Sequence, residues 1–274
     1  MAFTRNNGIR LYYEIEGDGS PVALVMGLGG SGRAWGMQRP ALAKHHRLIV
    51  PDNRGVGHSD APEGPYTMAE LADDLAAVLD AAGVERAHLV GVSLGGLIVQ
   101  EFHHRHPERT RSLVLMSTGT GPQDPESVPA ERAVQDALAL ERRTDAETEA
   151  AIRALVPWQY HPDYQQRVPD LADHLIAFHR REPQPAQGYH GQLAAVATHT
   201  PNAPRLGAVT VPCLVLHGDD DCIWPVANAR LLAEGLPDAR LEILERTGHM
   251  LPMERPQACN KALLRFFAEV DGAP

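Results

Sequence analysis

Cysteine, aromatic residues and long apolar runs are all scarce in this chain. The three cysteines, Cys213, Cys222 and Cys259, are odd in number and far apart, which argues against a disulfide framework and for a reducing compartment. No apolar run reaches membrane length, and the N-terminal stretch Met1 to Asn7 lacks the apolar segment of a secretory signal. The expectation is therefore a cytoplasmic protein with no membrane partner. Basic residues are also in deficit: Lys plus Arg is 25 against 35 for Asp plus Glu, a net charge of -10, and no Lys/Arg run offers a nucleic-acid footprint. Low-complexity tracts and internal repeats are absent, so disorder and solenoid architectures are set aside. At 274 residues and 43% apolar composition, the chain suits a single α/β domain carrying an insertion.

What is present is punctuated by glycine. The stretch from His88 to Leu97 runs a short apolar strand into Gly91-Val92-Ser93-Leu94-Gly95, and Leu97 to His106 reads as a helix stopped by Pro107. Strand, Gly-x-Ser-x-Gly and helix together predict a nucleophile elbow. A serine on that turn is forced towards positive φ, at about 1 to 3 kcal/mol, and glycines relieve the crowding around it. The turn also aims the first amides of the helix, Leu94 N–H among them, at whatever the hydroxyl attacks.

Other buried strands are expected at Val22 to Met26, Leu48 to Val50, Leu113 to Met116, Val211 to His217 and Leu241 to Leu244. Ile9 to Glu16 alternates loosely and reads as an edge hairpin strand ending at Gly17-Asp18-Gly19. Thr67 and Glu70 form a capping box ahead of a helix whose Leu71, Leu75, Val78, Leu79 and Ala82 share one face, with Gly83 placed to end it. Further helices are expected at Asn228 to Gly235 and Gln257 to Val270. Buried strands alternating with helices imply a mostly parallel central sheet flanked by helices. The alternation lapses between residues 121 and 205, where helical periodicity appears without a convincing strand, as in Ala133 to Leu140. This segment is expected to be a helical cap inserted between core segments 1–120 and 206–274.

Chemistry gathers in the loops after strands. Gly27-Leu28-Gly29-Gly30-Ser31-Gly32 can bring bare N–H groups close to a ligand; a phosphate loop is the rival, but no Gly-Lys-Ser/Thr ends it. A serine nucleophile needs a base, and the base an acid to orient it. Candidates lie in His217-Gly218-Asp219-Asp220-Asp221 and in Thr247-Gly248-His249, loops that share the elbow's end of a parallel sheet. Among the 14 histidines, His103-His104-x-His106 looks like a cluster, yet only His103 and His106 share a helix face and no acid or cysteine completes a ligand set. No metal site is assigned. Trp158, Tyr160, Tyr164, Phe178 and Tyr189 are candidates for an acyl or alcohol pocket, with plain packing as the alternative.

Met26-Gly27-Leu28-Gly29-Gly30, Arg54-Gly55-Val56-Gly57-His58-Ser59, Gly91 to Gly95, Gly218 to Pro225, and Gly248-His249 with Glu254-Arg255-Pro256 occur in this order. With these motifs nearly the whole core resembles the cap-bearing α/β-hydrolases, the group of esterases, 3-oxoadipate enol-lactonase-like lactonases and cofactor-free haloperoxidase-type perhydrolases. The resemblance implies an α/β-hydrolase fold with Ser93 as nucleophile, His249 as base, Asp221 as acid, and the N–H groups of Leu28 and Leu94 as oxyanion hole. Asp221 matches the family's spacing from the glycine and the proline, whereas Asp219 and Asp220 do not. Met26 stands where the family usually has histidine, a departure that touches loop shape rather than chemistry.

The implied activity is cleavage of a small-molecule carboxylic ester or lactone through an acyl-enzyme, without cofactor. Gly27, Trp158, Tyr160 and Tyr164 are expected to contact substrate, and a homo-oligomer is compatible with the sequence. Serine at position 93 argues against alkyl-enzyme chemistry, which needs a carboxylate nucleophile. Carbon-carbon bond hydrolysis, with Arg180 or Arg181 on a substrate carboxylate, thioester hydrolysis and perhydrolysis remain as alternatives on the same three residues. A non-catalytic ligand-binding protein is the alternative outside enzymology.

Overall fold

The structure, a computed structural model, describes residues 2–182 and 184–272. Eight strands form one sheet: β1 (Ala2–Asn6), β2 (Ile9–Glu16), β3 (Ser20–Val25), β4 (His46–Pro51), β5 (Ala87–Val92), β6 (Thr110–Met116), β7 (Cys213–Gly218) and β8 (Ala239–Leu244). Their spatial order is β1-β2-β4-β3-β5-β6-β7-β8. The first two pairings, β1 with β2 and β2 with β4, are antiparallel; every later pairing is parallel.

The edge position expected for β2 belongs to β1. Asn7 and Gly8, at φ 48° and 85°, make a two-residue turn between them. Asn-Gly favours that turn because both central residues must enter positive φ.

Ahead of β6 come α1 (Arg39–Leu42), α2 (Met68–Ala81) and, after β5, α3 (Leu94–Arg105). Between β6 and β7 the chain forms α4 (Arg132–Leu138), α5 (Asp145–Gln159), α6 (Pro162–Arg167), α7 (Leu171–Arg181) and α8 (Ala186–Ala197). Then α9 (Ala227–Gly235), α10 (Leu251–Glu254) and α11 (Pro256–Asp271) complete the fold. None of the described helices is long and apolar enough to cross a membrane. The capping box at Thr67 and Glu70 is formed, and Gly83 follows the end of α2 at φ 65°. α3 starts at Leu94, three residues before the expected start, because packing at the elbow overrides the poor helix propensity of Gly95 and Gly96. The single-turn helices α1 and α10 are too short to leave a periodic signal.

Side chains alternate across a strand, so each continuous apolar run feeds two layers. Val25, Leu89, Leu115 and Val215 face α2, α3 and α9, where Leu75, Leu97 and Phe102 meet them. Leu24, Val90, Val114 and Leu214 face the opposite side, packed with Trp35, Leu263 and Phe267. This double cover fixes the parallel strands in register, and their carboxyl ends bring the loops after β3, β5, β7 and β8 to one edge.

The other edge is closed by a buried polar cluster. His88, fully buried on β5, accepts a hydrogen bond from Ser112 Oγ at Nδ1 (2.7 Å) and donates from Nε2 to Asp271 (3.1 Å). Asp271 ends α11 and also receives Ser20 Oγ (2.5 Å) and an Arg111 N–H (2.7 Å), which ties the last helix to the sheet. Burial pulls the His88 pKa down to about 4, against the raising effect of Asp271. The unfolded chain thus binds this proton at higher pH than the folded one, and stability from this site falls as pH drops from about 6.5 towards 4. Denaturant unfolding of wild type and His88→Gln across that range is expected to show the wild type losing up to about 3 kcal/mol relative to the variant. A pH-independent difference would mean that His88 is not held neutral.

Candidate active site

β5 ends at Val92 and α3 begins at Leu94, leaving Ser93 alone to make the turn at φ 54°, ψ -120°. The turn is tight enough that backbones touch. A Cβ on Gly91 would overlap the Gly95 carbonyl, and one on Gly95 would overlap the carbonyl of Val25 in β3. Ser93 N–H donates to Met116 O (2.9 Å) and Thr118 Oγ1 donates to Ser93 O (2.8 Å), so the strained residue is anchored on both sides. Ser93 stays partly accessible and lines a cavity. Leu94 is the first residue of α3, and its N–H has no partner within the helix.

The glycine loop after β3 lies against Ser93. A Cβ on Gly27 would stand 3.0 Å from the Ser93 Cβ and 3.7 Å from its Oγ, so only glycine lets the two chains approach this closely. The loop is braced from several elements. Asn53 Nδ2 donates to Met26 O (3.0 Å), while Asp52 accepts from the N–H groups of Gly32 (2.8 Å) and His58 (2.9 Å). Gly29 N–H donates to Oε1 of Gln192 (3.0 Å), whose amide nitrogen donates to Arg54 O (2.8 Å). Arg54 itself is buried and held by both oxygens of Asp74 (2.5 and 2.8 Å). The Arg54-to-Ser59 motif therefore works as a support for the glycine loop. Met26 packs its side chain into the core below.

Asp221 and His249 meet across the ends of β7 and β8. His249 Nδ1 lies 2.8 and 3.0 Å from the two carboxylate oxygens of Asp221. A carboxylate can only accept, so Nδ1 carries the proton and Nε2 is free to act as a base. The Asp221 side chain is wholly buried and also accepts the N–H groups of Ile223 and Trp224 at 2.9 Å each. A second histidine, His217, donates from Nε2 to Trp224 O (2.7 Å) and lies 3.3 Å from Asp221 Oδ2. Burial pushes the Asp221 carboxyl up, but His249 and His217 outweigh it and hold the pKa well below the usual carboxylate range. Asp219, by contrast, is exposed and accepts the Thr247 N–H (3.2 Å), which steadies the turn before His249.

Glu254 fixes that turn from inside. Its buried carboxylate accepts the N–H groups of Gly248 (3.1 Å) and His161 (3.0 Å), joining the histidine loop to the segment after α5. Burial raises its pKa, partly countered by these amides.

Ser93, His249, Gly27, Leu28 and Leu94 all line one cavity of about 950 Å³. Asp221 stands behind His249. The helices between β6 and β7 close over this space and contribute Tyr160, Tyr164, Phe178 and Tyr189 to its wall. Trp158 does not reach it. On α5 the cavity face is carried by Ile152, Leu155 and Gln159, at i, i+3 and i+7; Trp158 is rotated roughly 100° from Gln159 and is half-buried elsewhere. Arg180 and Arg181 also lie outside the wall: Arg180 is 65% exposed and paired with Glu149, and Arg181 is exposed. Neither His217 nor Gln192 stands out in the sequence. A histidine at the end of an otherwise apolar strand, four residues before Asp221, is the signal for the first; the second has none, because its partners are 138 and 163 residues away.

Residues 20–256 match the family model for the alpha/beta hydrolase fold. A candidate carbamate hydrolase, RutD, of Azorhizobium caulinodans is 32% identical, with 99% of this chain and 100% of the relative covered. The enol-lactonase from Burkholderia xenovorans LB400 superposes with a TM-score of 0.85 at 28% identity, over 97% of this chain and 100% of that one. A thermophilic esterase from Thermogutta terrifontis gives 0.84 at 27%, covering 98% and 97%. Strand order, elbow and near-full-length likeness in both sequence and backbone converge, and the chain belongs to the α/β-hydrolase fold family of hydrolytic enzymes.

Proposed function

We propose that this protein is a serine hydrolase that cleaves a carboxylic ester or lactone through an acyl-enzyme. The observation that carries the reading is the pairing of His249 Nδ1 with buried Asp221 at 2.8 Å, beside a cavity that His249 shares with the elbow serine. In this mechanism Ser93 Oγ attacks the substrate carbonyl while His249 Nε2 takes its proton. The leaving alkoxide receives that proton, and water then repeats the sequence on the acyl-enzyme. Asp221 keeps the imidazole in the Nδ1–H tautomer and stabilises its charged form. The amides of Leu28 and Leu94 receive the developing oxyanion, supported by the place of Leu94 at the start of α3, where its N–H has no partner within the helix, and by the bracing of the glycine loop. The chemistry needs no cofactor. Residues 121–205 serve as the cap that shapes the pocket over this machinery.

Enol-lactonase and esterase structures among the similar proteins favour an ester or lactone carbonyl. Likeness to the candidate carbamate hydrolase supports a carbamate as second reading, since its carbonyl undergoes the same attack. The size and largely apolar wall of the cavity favour the ester. A panel of p-nitrophenyl esters, lactones and carbamates, ranked by kcat/KM, separates the two.

Ser93→Ala is expected to lose at least about three orders of magnitude in kcat on every ester while unfolding at a similar temperature. Mass spectrometry of the wild type during turnover is expected to show the acyl adduct on the Ser93 peptide; a folded variant with near wild-type turnover overturns the assignment.

Asp221→Asn is expected to cost far more than Asp219→Asn, because an amide at 221 can stabilise the wrong imidazole tautomer whereas one at 219 can still accept from Thr247. Equal losses in kcat, measured side by side, would remove Asp221 from its role.

Tyr164 faces the cavity and Trp158 does not. Each methylene buried against the wall is worth about 0.8 kcal/mol. In a series of p-nitrophenyl esters from acetate to decanoate, Tyr164→Ala should therefore shift the preferred chain length, and Trp158→Ala should leave the profile where it is. The opposite pattern would mean that the pocket lies elsewhere.

A further inference from the structure

The wall of the cavity carries three side chains with a permanent charge, Arg33, Arg142 and Glu182, among the described residues. Glu182 neutralises Arg33 at 2.8 Å. Arg142 has no such partner. It lies between α4 and α5, is 9% exposed, and makes no ion pair among the described residues. Its neighbour Glu141 is engaged with Arg143 at 3.0 Å. The Arg142 Nε is buried without a hydrogen-bond acceptor. What holds the guanidinium is the face of Tyr189, whose ring centre lies 4.0 Å from Cζ. The Tyr189 hydroxyl donates to Leu138 O (2.9 Å) and its oxygen can accept from the guanidinium, but that contact is neutral and supplies no counter-charge. Nearby His179 also lines the cavity, but an imidazole, neutral or protonated, offers Arg142 no negative charge.

A buried cation is costly unless it is paired, and stacking on an aromatic ring offsets only part of that cost. No carboxylate among the described residues supplies the missing counter-charge, and Arg142 lines the cavity, where an anionic ligand can supply it. We propose that Arg142 is the subsite for a substrate carboxylate, so that the preferred substrates are esters or lactones bearing a carboxylate remote from the scissile carbonyl. The distance follows from Tyr189. One edge of its ring lies against Gly29, where an added Cβ would be 3.5 Å from Cδ2, and Arg142 stacks on its face. The anion is therefore received about one aromatic ring away from the glycine loop, in the same space. A carboxylate fits better than a phosphate: one guanidinium can match its two oxygens and single charge, whereas a dianion would need a second free cation. The proposal rests on the reading of this cavity as the substrate pocket of a serine hydrolase.

Two measurements separate the subsite from that reading. The first is turnover of mono-p-nitrophenyl suberate against p-nitrophenyl octanoate, which have the same chain length and differ in the terminal carboxylate. Wild type is expected to favour the suberate by at least about tenfold in kcat/KM, the usual scale of a charge-assisted hydrogen bond. Arg142→Gln and Arg142→Met should abolish the preference and Arg142→Lys should keep part of it. The exposed Arg180→Gln should leave it unchanged. The second is calorimetric titration with octanoate and with octan-1-ol, which requires no turnover: octanoate binding should weaken at least about tenfold in Arg142→Gln, and octanol binding should weaken less.

If octanoate depends on Arg142 but neither ester is hydrolysed, the carboxylate subsite stands and the ester reading falls. If both esters are hydrolysed at equal rates and octanoate is indifferent to Arg142, the subsite falls and the ester reading stands. Loss of both esters in equal proportion in every Arg142 variant, with a lowered Tm, would make the arginine a packing residue and overturn the proposal.

Discussion

Two backbones touching at the elbow set the terms for much of the rest. Because β5 passes so close to the start of α3, and α3 so close to the end of β3, positions 91 and 95 have no room for a Cβ. That closeness is possible only in a sheet whose strands are already pinned from both faces; a strand free to shift would relax and let Ser93 out of its positive φ. The double layer of apolar side chains is what resists this relaxation, and the hydrogen bonds from Ser93 N–H and from Thr118 hold the turn locally. Strain at one residue is thus carried by packing spread over four strands.

A second dependence runs through buried charge. Asp221 keeps its negative charge in the interior because backbone amides and two histidines surround it. Arg54 is buried against Asp74, and Asp52 gathers two loop amides. Each group would be costly alone. Together they convert loops, which ordinarily drift, into parts with fixed positions at one edge of the sheet.

How much of this could be read in the sequence varies with the range of the cause. The elbow was legible because its requirements are local: glycines at 91 and 95, serine between them, a strand before and a helix after. Alternating buried strands and the capping box at Thr67 were legible for the same reason. The Asn7-Gly8 turn was equally local, and it makes β1, not β2, the edge of the sheet. Trp158 lies off the wall because aromatic character says nothing about which face of α5 meets the cavity; a rotation of one residue separates it from Gln159. Gln192 acts through partners that only the tertiary fold supplies and Arg142 is marked by the want of an ion pair, so neither composition nor spacing distinguishes them from surface residues of the same type; Glu254 lies in a sequence motif, but its hold on Gly248 and His161 is visible only in the fold.

Gln192 binds the glycine loop with its carbonyl and the Arg54 loop with its amide nitrogen, while Glu254 joins His161 to the turn before His249. The helical segment over the cavity is therefore stitched to the same loops it covers. A movement that lifts α8 must break the bond from Gly29 to Gln192, and one that lifts the segment after α5 must break the bond from His161 to Glu254. Opening along either route would cost hydrogen bonds that also brace the floor of the cavity, so cover and floor are one construction.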